Sequence, residues 1–487
     1  HEINLQSGYL NLGSKTLTVG AGIISRNTGA FNGGTGTYII NTNHVTPKLE
    51  DAYFTIDGTP TLYNLTVAAA HETTNDLTVN GNLYLNGFDL TIASALNAAA
   101  PKLLTVYGNL SRNAGEIAGS VTLSRLVLAG TGTVANGLSN AYFNGGAATT
   151  VQLEVARQET LGGNLNIANT SYLRVNTGIN DFNLGIYKLT FDAASFITMI
   201  SGGIKAGTNS TVDLSTSIVT VPASMFRNNE CYNLTIGQDI TIQGDLAING
   251  TWTGAFDVTT GDNILTIGAS AVIPALGSSA YIKGNLRRTV VNNPATIFYV
   301  GDATNYYPVT LRFANATSSQ KVVVKPHTLD PADGRGGDPK YSVNAYWDIT
   351  PEGTAPVDSL KAIFQWPNTL DGGTTASTNA SFPAKWTGSY WYDYRSKLSS
   401  FTVANPRVLT MASYPIANPA ALNGVWAIFN ATDTTKVAKD RAISTSRNKL
   451  VITKIDPLPV KLGLPFKVTV QLQNQYGQPI TTTTPFE

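Results

Sequence analysis

The stretch that most constrains the fold is Asp76 to Ile92, DLTVNGNLYLNGFDLTI. It repeats one pattern three times: an apolar-x-apolar triplet closed by Asn, Asp or Gly, with the pairs Leu77/Val79, Leu83/Leu85 and Leu90/Ile92. Residues two apart on a strand share a face, so each pair has one side to bury. Asn80-Gly81 and Asn86-Gly87 supply residues that accept positive φ at a corner. Asn-Gly is also a hairpin signal, but the strands are too short for a convincing hairpin. Three-residue strands with a corner every six or seven residues predict a solenoid, in which each strand stacks on its counterpart one coil away.

The pattern recurs along the chain. It is present at Leu10/Leu12 and Leu17/Val19, at LYNLTV (62–67), and at Leu153/Val155 and Leu165/Ile167 around the corner Gly162-Gly163-Asn164. Its most regular copy is CYNLTIGQDITIQGDLAINGTW, where Leu234, Ile240, Leu246, Trp252 and Val258 fall at steps of six and Gly237, Gly244 and Gly250 lie in or near the corners. Blocks starting near 62, 151 and 231 read as versions of one unit, roughly 80 to 90 residues apart. Residues 1–290 are therefore expected to form one right-handed parallel β-helix of about 20 residues per coil. Slips to seven and longer inserts argue against the left-handed hexapeptide type.

Beyond Leu286 the texture changes, and five of the six tryptophans (Trp347, Trp366, Trp386, Trp391, Trp426) fall in the last third. Alternating runs such as VTLRF (309–313), KVVVK (321–325) and LKAIFQW (360–366) predict an antiparallel β-sandwich over 291–430. Its aromatics are expected to fill the core, with a glycan or partner contact at Trp386 and Trp391 as the alternative. The polar, locally basic stretch 431–449 reads as a linker. The alternation at Val468, Val470 and Leu472 reads as the start of an immunoglobulin-like domain over 450–487, much shorter than the about 100 residues of that fold. The chain is expected to be part of a longer protein, processed or trimmed at His1.

Charged residues are 13% of the chain and hydrophobic ones 42%, which suits an all-β extracellular protein rather than a disordered one. With 32 basic and 31 acidic residues, nothing steers it toward nucleic acid or an anionic membrane. No apolar run approaches the roughly 20 residues of a membrane span. Cys231, the single cysteine, excludes an intrachain disulfide and takes the place of Leu62 in a related block, as a small buried hydrophobe.

Signals for chemistry are sparse. The histidines His1, His44, His71 and His327 are not at ligand spacing, and His71-Glu72 lacks the second histidine of a zinc motif. In DPADGRGGDP (330–339), Asp330, Asp333 and Asp338 offer oxygen ligands for calcium, though the spacing departs from the EF-hand and a closing glutamate is missing. A plain Asp/Gly/Pro turn is the competing reading. Asp239, Asp245, Asp257 and Asp262 fall in consecutive coils, as the carboxylates of a polysaccharide lyase or hydrolase would. Corners demand Asp and Asn in any case, which favours the structural reading.

LNLGSKTLTVG (10–20), the YNLTV and YNLTI blocks, GNLRRTV (284–290), FYVGDATNYYPVTLRF (298–313), YWDITPEG and KWTGSYWYDY together resemble large surface proteins of Bacteroidota and related bacteria. KLGLPFKVTVQLQNQYGQPI resembles the tandem immunoglobulin-like repeats of such polypeptides. The resemblance implies export, often by the type IX route, and display at the bacterial cell surface or release from it. The leading expectation is a non-enzymatic extracellular structural or adhesive protein, a stiff stalk that self-associates into a filament or surface layer. A carbohydrate-active β-helix enzyme and a glycan-binding module are the rivals.

Overall fold

The computed structural model describes residues 2–20, 23–41, 49–73, 75–92, 101–119, 124–144, 151–168, 171–192, 194–215, 218–314, 317–328, 335, 339–353, 358–372, 380–388, 391–411, 414–416, 423–431, 449–456 and 467–473. They are almost entirely β and fall into two compact units, His1–Tyr281 and Ile282–Glu487.

The first unit is a parallel β-solenoid of about 12 turns. The three triplets of the 76–92 stretch enter three different sheets, one on each side of a single coil. Leu77 stacks on Leu104, Leu83 lies between Leu65 and Leu110, and Leu90 stacks on Ile117, all in parallel register. All six apolar side chains of the triplets are fully buried, and each stabilises the fold by roughly 1.5–3 kcal/mol relative to exposure. The six-residue spacing also holds: Leu234 pairs with Trp252 and Ile240 with Val258, 18 residues on in both cases.

Coil length is not uniform. Leu65 to Leu83 is 18 residues, whereas Leu83 to Leu110 is 27. The surplus enters between strands, for example between Leu90–Ile92 and Lys102–Val106, so the stacked rows stay aligned.

The corners are held by side chains of one coil that accept backbone N–H groups of the next. Asn64 Oδ1 accepts the amide of Asn82 at 2.9 Å, Asn82 that of Asn109 at 3.0 Å, and Asn109 that of Thr133 at 3.0 Å. Asp51, Asp76 and Asp89 do the same for Thr78, Leu103 and Glu116. Where the strand ladder breaks to turn, an amide would lose its carbonyl partner, and a short polar side chain replaces it.

The Asn-Gly corners divide into two physical types. Gly87 has φ +85° and open space around its missing Cβ, as expected from the sequence. Gly81 lies outside the positive-φ set, which corrects the conformational reading at that corner. A Cβ there would lie 2.7 Å from Tyr63 O and 2.8 Å from its ring, so closeness of the preceding coil requires the glycine. Gly250 repeats this against the ring of Tyr232. The YNLT segments at 63 and 232 are thus each followed, 18 residues on, by the glycine their tyrosine covers.

In the second unit, most of the described antiparallel strands fall into two sheets. One contains Gln320–His327, Ser342–Glu352, Gly424–Asn430, Ser381–Trp386 and Trp391–Asp393. The other contains Thr296–Phe298, Val309–Phe313, Asp358–Trp366, Arg407–Met411 and Leu398–Thr402. Phe364 of the second sheet meets Trp347 and Trp426 of the first at ring distances of 5.0 and 6.1 Å, the aromatic core of a β-sandwich. Trp347 Nε1 donates to Tyr307 O at 2.9 Å, satisfying the buried indole. Lys449–Asp456 and Lys467–Gln473, in the segment read as the start of an immunoglobulin-like domain, form an antiparallel pair.

Candidate functional site

The alternation Leu153, Val155 continues through the next corner to Arg157, Glu159 and Leu161, all of which are buried. Period-2 spacing thereby carries an ion pair into the solenoid interior. Arg157 Nε donates to Glu159 Oε2 at 3.1 Å, with the two side chains 2% and 4% exposed. Its Nη1 donates to Gly108 O at 2.7 Å and Ala129 O at 3.0 Å, carbonyls of the two preceding coils. Nη2 is buried and has no hydrogen-bond partner among the described residues. Glu159 Oε1 accepts the amides of Val134 at 3.4 Å and Thr160 at 3.3 Å. Burial pushes the Glu159 carboxyl above the usual carboxylate range, opposed by the Arg157 charge and these amides.

Beside this pair the solenoid opens into a cleft of about 640 Å³, lined by the 130–137 corner, Gln158 to Leu161 and Asn180. The cleft lies where one ladder thins to single bridges, Leu110 to Val134 and Leu138 to Leu161. Glu159 thus supplies an acceptor where a strand partner would otherwise stand.

The expected site residues take other places. Asp239 Oδ1 accepts the amide of Asp257 at 3.0 Å, Asp257 Oδ1 that of Tyr281 at 2.9 Å, and Asp245 Oδ1 that of Ile264 at 2.8 Å. Three of the four carboxylates weighed for catalysis therefore cap the following coil. Trp391 is 1% exposed and packs against Trp386 and Phe429 at ring distances of 5.5 and 5.1 Å. Its indole is therefore not the surface contact for a glycan weighed from the sequence: it is buried with Phe382, Ala427 and Phe429 in a second apolar cluster, on the opposite face of its sheet from Trp347 and Trp426. Trp386 is partly buried on the rim of the same cluster.

Asp330, Asp333 and Asp338 lie outside the described residues. Among the described residues, no group of three His, Cys, Asp or Glu is placed to hold a metal ion. His71 is buried with Nε2 accepting the amide of Leu49 at 3.3 Å, and His327 stacks on Tyr346 at 4.5 Å. Burial pushes the Cys231 thiol up to about 12, leaving little nucleophilic thiolate at neutral pH. Among the described residues, no helix is long and apolar enough to cross a membrane.

The Arg157–Glu159 pair escapes a motif search because it belongs to no catalytic pattern. Its signal is parity: two charges in a chain poor in charge, in phase with an inward apolar row. Comparison with protein-family models, curated proteins and solved structures finds no match.

Proposed function

We propose that this chain is a non-enzymatic structural or adhesive protein of the bacterial cell surface, a stiff scaffold that self-associates. The observation that carries the scaffold reading is the use of polar side chains: corner Asn and Asp residues accept amides of the next coil, and the most deeply buried ion pair among the described residues ties three coils together. Side chains committed to backbone groups stiffen the coil and leave few for chemistry.

Self-association is supported by an interruption within the solenoid. Phe196–Lys205 pairs with Tyr172–Asn183 on one side; on the other, the following coil bridges it at Ile204 to Phe226, while Thr220–Val221 joins a different sheet, so among the described residues the Phe196–Ile200 end has no strand partner there. Phe196 is 61% exposed and Ile200 47%, on a strand end of a kind that recruits further chains. Light scattering of the intact protein over a concentration series should show assemblies that grow with concentration. A Phe196→Lys/Ile200→Lys variant should stay monomeric with an unchanged circular dichroism spectrum. Monodisperse monomers of the unaltered chain at every concentration would sink the self-association half of the proposal.

A further inference from the structure

We propose that the cleft beside the Arg157–Glu159 pair is a binding site for a neutral polyhydroxylated ligand, a sugar residue or short saccharide. Its volume of about 640 Å³ falls within the roughly 300–1,000 Å³ of small-molecule sites.

The lining excludes the other ligand classes in turn. Among the described residues, its single charged one, Glu159, already pairs with Arg157 at 3.1 Å, and no Lys or Arg lines the wall, so an inorganic anion or phosphate finds no counter-charge. One paired carboxylate is too few for a hard divalent cation, which takes six or more oxygens. Among the described residues, Val134 and Leu161 are the only large apolar ones of the lining, and both are buried behind it, so an apolar ligand gains little.

What remains is hydroxyl and amide chemistry. Thr131 and Thr160 contribute hydroxyls, and Asn136, Gln158 and Asn180 contribute amides, all five exposed at the wall. Each such group can both donate and accept, which matches the dual character of a sugar hydroxyl. The glycines of the corner add main-chain surface without bulk: Gly130 and Gly137 have φ +71° and +75°, and Gly132 stacks directly on Gly108. The Arg157–Glu159 pair stiffens the floor from beneath, fixing the 130–137 corner through the Val134 amide. Among the described residues no aromatic ring lines the wall, so recognition rests on hydrogen bonds and the affinity is expected to be low.

The test is ligand-observed NMR on the intact chain with glucose, galactose, N-acetylglucosamine, maltose and cellobiose as probes. At least one should bind, and Asn180→Ala and Thr131→Val, both at exposed positions, should each weaken it by about tenfold while thermal unfolding stays unchanged. Phe196→Lys, which lies opposite Tyr172 at the other end of the Tyr172–Asn183 strand from Asn180, should leave saccharide binding intact, which separates this site from the self-association surface. Lack of binding by every probe, or binding that survives the Asn180→Ala/Thr131→Val double variant undiminished, would overturn the assignment.

Discussion

Replacing Arg157 with alanine is expected to lower stability by about 3–5 kcal/mol, seen as a large drop in the urea midpoint of the solenoid. The substitution leaves the Glu159 carboxylate almost wholly buried without its counter-charge, and strips donors from Gly108 O and Ala129 O in two other coils. An uncompensated buried charge costs more than the pair itself contributes. Arg157→Met combined with Glu159→Gln should therefore recover most of the loss, since it removes both charges and keeps an amide oxygen for the Val134 and Thr160 amides. If the single and double variants unfold at the same urea concentration, the ion pair is not what holds the corner.

Gly108→Ala should destabilise by about 3 kcal/mol or more, because its Cβ would lie 2.2 Å from Gly81 O and backbone cannot swing aside as a side chain can. Gly87→Ala makes the useful comparison: with open space and φ +85°, it should cost only the about 1–2 kcal/mol of a left-handed L-residue. Equal losses at the two sites would show that the coils are spaced more loosely than the stacked Gly81–Gly108–Gly132 corner requires.

The corner glycines show how far the sequence can be read. The apolar pairs between Leu77 and Ile92 were legible as inward rows because strand parity alone sets them, and the stacking partners follow once coils are assumed. The role of each such glycine was not legible, because Asn80-Gly81 and Asn86-Gly87 are the same dipeptide, yet Gly81 is packed under the preceding coil while Gly87 has positive φ and open space. Coil length was legible where sides run at six residues, as from Leu234 to Val258, and obscured where inserts lengthen a turn to 27. Trp391 could be read as surface or core from composition; its packing on Phe429 decides for the core. The cleft was invisible in the sequence because its wall draws on three separated segments of ordinary turn residues, brought together by a ladder that thins to single bridges.

The central claim is that the acidic corner residues serve as neutral-equivalent acceptors for the next coil rather than as catalytic or ion-binding carboxylates. The most direct test is the melting temperature of an Asp239→Asn/Asp245→Asn/Asp257→Asn variant, measured with calcium and with chelator. Asparagine keeps the Oδ1 that accepts Asp257, Ile264 and Tyr281 amides, so the account predicts a shift of no more than about 2 °C, the same in both conditions. A drop of about 10 °C or more, or calcium stabilisation of the parent chain that the variant loses, would contradict it.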